Sequence, residues 1–362
     1  MMQLQKNMGL VAKIKERIWQ TLCKSDKFSL YNYCCLHSKD SYVKRMLAGE
    51  YNNSDWLHLY SRGDEYSGQI IYHIEEYGGQ VGFFCELIFT LLRLAFADER
   101  GLTPYVYWGK EHLYYETEGV EGEYNVFCYY FEPVSQVKNI ERASFVVDSS
   151  DEQMHELQNR FDHHGYAFSE QYIKTLALMT KKYLRYNAKT KAFLENEFVS
   201  LIGNKKTLGV HFRGTDYRRQ YNNHPIFVTL EQEIEKVREL METGKYELIF
   251  LATDEQEAVN AFTREFGDQL KAYSETFRAS EGNESVAYSH SDRKNHHYLL
   301  GLEAIRDQYT LSRCAGLVCG LSNLSITARI MHYAWYDQPY ENMVLIDNGT
   351  CVNENAFCNA VH

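Results

Sequence analysis

Proline is scarce in this chain, with 4 residues among 362. Long disordered linkers draw heavily on proline, so none is expected. Cysteine occurs nine times, an odd number, and never as CxxC. That usage points to neither a zinc site nor a disulfide scaffold. No run approaches the ~18 consecutive apolar residues that a membrane-spanning helix requires. Positive charge is in deficit: 38 Lys and Arg stand against 49 Asp and Glu, a net charge of −11. A broad nucleic-acid surface needs the opposite sign. The GxxxxGK[ST] loop of P-loop NTPases is absent. So is the GxSxG nucleophile elbow. No D-x-D triplet occurs either. Mg²⁺ is usually held by one or two carboxylates together with substrate phosphates. A phosphate-bearing ligand here is therefore expected to meet cationic side chains and helix N-termini, with no metal.

What is present is an ordinary globular composition, 44% hydrophobic and 24% charged, with 29 tyrosines. The length suggests two domains. Residues 1–46 differ from the rest, with nine Lys or Arg against three acids. Val11, Ile14, Ile18 and Leu22 fall at helical spacing beside Trp19. Such a helix either packs its apolar stripe on the body of the protein or lies on an anionic membrane surface. The opening MMQLQKNMGLVAKIKERIW scatters charges through its apolar positions, unlike a secretory signal. A reduced, cytoplasmic protein is expected, with peripheral contact on the inner membrane face as the further reading of the basic helix.

The rest alternates strands and helices. QIIYHIEEYGGQVGFFCELIFTLLRLAFADERGLTPYVYW, residues 69–108, reads as strand, glycine turn at 78–82, helix from about Phe84 to Arg100 with Gly101 as its cap, and strand. A glycine turn before a helix is where a phosphate can meet free backbone N–H groups. Residues 169–202 read as one long bridging helix, and 280–299 as a polar loop. From LGVHFRGT onward, strands and helices follow in turn to a last strand at NMVLID. Such alternation means a parallel sheet with helices on both faces. The boundaries predicted are a basic helical extension over 1–64, an α/β domain with the bridging helix over 65–204, and a Rossmann-type domain over 205–362.

In open parallel sheets, ligands bind where strands end at their C-terminal edge. Three polar clusters fall at such ends: HFRGTD (211–216), ATDE (252–255) and GLSNLS (320–325). Arg213 suits a phosphate, because its planar fork gives paired hydrogen bonds and its charge does not titrate away. It can equally form a structural pair with Asp216. Asp254 either caps the next helix or accepts paired N–H bonds from the Watson–Crick edge of guanine. Ser322, Asn323 and Ser325 open a helix, which they can cap while its N-terminus holds a diphosphate.

GVHFRGTD with HPI at 224–226, FLATDE at 250–255 and LSRCAGLVCGLSNLS at 311–325 together resemble the α1,6-fucosyltransferases. That group includes the core N-glycan and rhizobial nodulation enzymes. It belongs to a wider set with α1,2- and protein O-fucosyltransferases. The likeness is collinear over about residues 66–335 and takes in GGQVGFFCEL…LAFADERGLTPYV. It implies a GT-B-like fold, two Rossmann-type domains facing a cleft, here with a helical N-terminal extension. By position it implies that Arg213 meets the β-phosphate of GDP-fucose, with His211 beside the nucleotide. Asp254 would read guanine, with backbone contacts from Leu251 and Ala252. Gly82 would lie near the diphosphate, as would Ser322, Asn323 and Ser325. Asp307 matches a helix aspartate of the C-terminal motif. The chain also departs from the pattern. Gly214 stands where the α1,6 enzymes carry a second arginine, and Tyr217 where they carry a lysine; Arg218 and Arg219 follow, and one or the other would replace the second arginine. The loop YRRQYNNHPI holds no carboxylate to act as base.

The activity implied is inverting, metal-independent transfer of L-fucose from GDP-fucose to a glycan hydroxyl in a surface polysaccharide or oligosaccharide. Arg213 would stabilise the leaving group, and the base would come from Asp216, His224 or Glu86. Two other readings stay open: a transferase of the same fold with another sugar nucleotide, and a non-catalytic glycan- or nucleotide-binding module. Neither nucleic acid nor a cofactor beyond the donor is expected.

Overall fold

A computed structural model describes residues 15, 17–18, 59–60, 62–77, 81–161, 163–164, 167–278 and 285–355. The basic stripe of residues 1–46, apart from three positions, and the Gly78–Gly79–Gln80 turn lie outside these residues. The chain divides into two compact units. The first comprises Met1–Glu75, Phe96–Val106 and Pro133–Gln153; the second comprises Glu76–Ala95, Tyr107–Glu132 and Met154–His362.

The first unit is built on a four-stranded sheet. Its strands are β1 (Leu59–Tyr60), β2 (Ile71–Glu75), β3 (Thr103–Tyr107) and β4 (Val146–Asp148), in the order β1-β4-β2-β3. β4 runs parallel to β2 and antiparallel to β1. Ile71, Val137, Ile140, Ala143 and Val146 form its apolar cluster. Helix α1 (Phe83–Arg100) is shared between the units. It stops where Gly101 adopts φ 63°, a conformation that glycine takes without strain. Both the helix and its glycine end agree with the sequence reading.

In the second unit, α2 (Val126–Tyr130), α3 (Asp151–Gln158, from Met154 on), the β5–β6 hairpin strands (His163–His164 and Ala167–Phe168), α4 (Glu170–Tyr183) and α5 (Ala188–Leu201) precede the main sheet. The single helix expected over 169–202 is two helices. Asn187 separates them: its side chain accepts from Thr190 N–H at 2.9 Å and donates to the carbonyls of Cys128 and Tyr129. An asparagine that caps one helix ends the one before it.

The main sheet then forms from β7 (Thr207–Phe212), β8 (Leu248–Thr253), β9 (Leu270–Lys271), β10 (Gly316–Gly320) and β11 (Asn342–Ile346). Its order is β11-β10-β7-β8-β9, and every pairing is parallel. Every residue of β7 is buried, as a central parallel strand covered on both faces must be. Helices α6 (Leu230–Met241) and α7 (Gln256–Phe266) bring Val237, Ala258 and Phe262 to one face of the sheet. Helices α8 (His296–Arg313) and α9 (Asn323–Tyr336), with Phe198 of α5, bring Leu311 and Ala328 to the other. This is the mixed α/β class that the alternation predicted. The polar loop expected over 280–299 ends sooner than expected. His296 already begins α8, where its Nδ1 receives Arg293 Nε at 2.8 Å. Among the described residues, no helix is long and apolar enough to cross a membrane.

Candidate active site

β10, β7 and β8 are adjacent and parallel, so their C-terminal ends share one edge of the sheet. HFRGTD, ATDE and GLSNLS therefore emerge side by side. A cavity of about 470 Å³ opens there, bordered entirely by residues of the second unit. That volume lies in the range of small-molecule sites.

Arg213 leaves the end of β7. Its Nη1 lies 2.8 Å from Asp254 Oδ2, and its Nη2 donates to Asp216 Oδ1 at 2.6 Å and to Ser285 Oγ at 3.1 Å. Burial opposes its charge, but Asp254 and then Asp216 more than offset this, so its pKa is raised. The structural pair with Asp216 thus exists, and Arg213 borders the cavity as well. Five N–H donors against three such contacts leave donors to spare.

Asp254 does not cap the next helix, whose cap position is Glu255. Its Oδ1 accepts from Gly214 N–H at 3.0 Å, and its Oδ2 accepts from the Thr215 hydroxyl at 2.7 Å. Between them Thr215, a β-branched residue, sits at φ 29°. A β-branched side chain in that region is strained, which costs on the order of 1–3 kcal/mol and persists only where surroundings enforce it.

His211 is buried behind this turn. Its Nδ1 lies 2.7 Å from Ser325 Oγ and 3.3 Å from Ser322 Oγ. Burial, and then the neighbouring Arg213, push its pKa down to about 4. Ser322 caps α9 by accepting from Ser325 N–H, so the capping reading of this cluster holds. Ser322 and Asn323 also border the cavity, as do Gly82 and Phe83 at the start of α1. Two helix N-termini, each carrying partial positive charge, therefore reach one cavity. A Cβ on Gly82 would meet nothing within 4 Å, so protein packing does not demand its missing side chain.

Asp307 of α8 borders the cavity too. Burial pushes its carboxyl up to about 7, against the pull of Arg306 and Arg278. His224 is a further cavity residue; burial lowers its pKa while the charge of Asp216 opposes that. Leu251, Ala252 and Ser325 stand behind the cavity wall. Leu251 and Ala252 pack into opposite apolar clusters of the sheet. Glu86 is buried away from the cavity lining, where it accepts from Tyr77 N–H at 2.8 Å. Arg218 does not border the cavity either: it forms a fork with Glu255. Arg219 is exposed and donates to the Tyr221 hydroxyl at 3.1 Å.

The sequence reading missed Ser285, Tyr114, Glu303 and Glu255. The first three border the cavity from segments with no motif. Glu255 had a signal, an acid directly after Asp254 at a strand end.

No protein-family profile matches this chain, and no curated protein matches it. Solved structures similar to it include a NodZ α1,6-fucosyltransferase soaked with GDP-fucose. That likeness has 16% identity and a TM-score of 0.46, covering 73% of this chain and 92% of that one. Another is the fucosyltransferase NodZ from Bradyrhizobium, at 16% identity and TM-score 0.43, covering 72% and 92%. A third is POFUT1 in complex with GDP-fucose, at 11% identity and TM-score 0.45, covering 79% and 98%.

The buried His211 ring makes the fold sensitive to acid. Its pKa falls from the usual 6.5 to about 4, so its contribution is complete above pH 6.5 and is lost as the pH falls toward 4. Between pH 7.5 and 5, the wild type is expected to lose about 2 kcal/mol more unfolding free energy than His211→Gln. Urea unfolding at the two pH values measures this; identical losses would contradict a buried neutral imidazole.

Proposed function

We propose that the protein is a glycosyltransferase that moves L-fucose from GDP-fucose to a glycan hydroxyl, with inversion and without a metal ion. The observation that carries this is Arg213, with donors to spare, beside a cavity that the N-termini of α1 and α9 both border. A leaving diphosphate needs preorganised donors where its charge grows. A guanidinium and two helix N-termini supply them. The HFRGTD, FLATDE and GLSNLS motifs point to a guanosine diphosphate sugar as the donor.

In this reading, residues 205–362 carry the nucleotide. Guanine meets Asp307. Both oxygens of Asp254 already accept bonds from the 213–215 turn, whereas Asp307 offers a buried carboxyl at the cavity. Ionised, it accepts the paired N–H groups of the guanine edge. The acceptor hydroxyl attacks the anomeric carbon from the face opposite the diphosphate. The bond from that carbon to the β-phosphate oxygen breaks, and GDP departs with the electron pair. The hydroxyl proton passes to His224 or Asp216, both at the cavity. His224 is neutral at physiological pH and can take it, with the negative Asp216 favouring the imidazolium. At saturating GDP-fucose, where the ionisation of Asp307 no longer limits donor binding, loss of the acid limb of the kcat profile in His224→Gln identifies His224 as the base; its survival there assigns the role to Asp216.

Calorimetric titration with GDP, UDP and ADP in the presence of EDTA tests the donor class. GDP is expected to bind at least about tenfold more tightly than either other nucleotide, a difference of ~1.4 kcal/mol. Equal affinities would overturn the assignment. Because Asp307 titrates at about 7 and must be ionised to accept from guanine, GDP affinity should rise with pH through that value. In Asp307→Asn that rise should vanish. A rise that survives the substitution places the base elsewhere.

A further inference from the structure

Gly214 occupies the place of a second arginine, and the structure shows why no side chain fits there. A Cβ at this position would lie 2.0 Å from Glu255 Cδ and 2.2 Å from Oε1. The Glu255 carboxyl fills the room.

Glu255 is buried and fully engaged. Its Oε1 accepts from Thr215 N–H at 2.7 Å and from Arg218 Nε at 3.0 Å, and its Oε2 accepts from Arg218 Nη2 at 2.5 Å. Paired guanidinium–carboxylate bonds of this kind fix orientation as well as distance. Arg218 is held from its other side by the Phe227 ring, whose centre lies 4.7 Å from the guanidinium carbon. Thr215, strained at φ 29°, is thus tied twice to the end of β8, through its N–H to Glu255 and its hydroxyl to Asp254. Its two neighbours on either side include Arg213 and Asp216, which both border the cavity.

We propose that Glu255 and Arg218 form a positioning pair. They hold the strained 214–215 turn so that Arg213 points its free donors at the ligand. This rests on the reading of the cavity as a nucleotide-sugar site. It gives Arg218 a role outside the cavity, through the turn and not through the ligand.

The test uses the full-length protein and the variants Glu255→Ala, Glu255→Gln, Gly214→Ala and the Gly214→Ala/Glu255→Ala pair. Two quantities are read: hydrogen exchange across residues 209–219 without ligand, and GDP affinity. In Glu255→Ala, exchange at 213–217 should quicken at least tenfold while β8 is unaffected, and GDP affinity should fall about tenfold. Glu255→Gln keeps an acceptor for Thr215 N–H but loses the second bond to Arg218, and should recover only part of both. Gly214→Ala should be harmful alone but cost much less on top of Glu255→Ala, because the clash is gone. Wild-type exchange in Glu255→Ala, or additive losses in the double variant, would overturn the pair. If the wild type binds no GDP, the functional reading falls, and the exchange contrast alone decides the positioning role.

Discussion

Two adjacent carboxylates at the end of one strand hold the turn at the end of the next. Asp254 takes the Gly214 N–H, the Thr215 hydroxyl and Arg213; Glu255 takes the Thr215 N–H. Everything proposed for the site depends on that grip. Without it, Thr215 has no reason to stay in a conformation that β-branched residues avoid. Arg213 would then lose the acid that anchors it beside the cavity.

The fold makes the grip available. β7 and β8 are parallel neighbours in register from Thr207↔Leu248 to Phe212↔Thr253, so the residues just past each strand emerge together. β10 on the other side of β7 delivers Ser322, and the capped start of α9 brings Ser325 against His211. A charged cluster this dense needs low exposure to keep its order. Asp254 and Glu255 expose only about a tenth of their side chains, which strengthens their bonds to the turn.

Much of this was legible in the sequence. The alternation of apolar runs and amphipathic stretches gave the parallel sheet, because buried strands and helices leave different periods. Polar clusters at three strand ends gave the site, because a parallel sheet gathers such ends at one edge. Three things were not legible. Asn187 reads as an ordinary helix residue until its amide is seen bonded to the carbonyls of Cys128 and Tyr129, some sixty residues away. The commitment of Asp254 to the turn depends on strand register, which one sequence does not reveal. The match of Gly214 to Glu255 is a matter of 2 Å of space between residues forty apart. Leu251 and Ala252, expected to offer backbone contacts, turn their side chains into the apolar clusters of the sheet, and Ser325 is buried beside His211.

In the proposed reaction Arg213 receives the diphosphate, and a crystal structure of the complex with GDP shows whether it does. The β-phosphate oxygens are expected within about 3 Å of the Arg213 guanidinium and of backbone N–H groups opening α1 or α9, with guanine against Asp307. A diphosphate bound away from Arg213, with that side chain still held only by Asp216, Asp254 and Ser285, would contradict it.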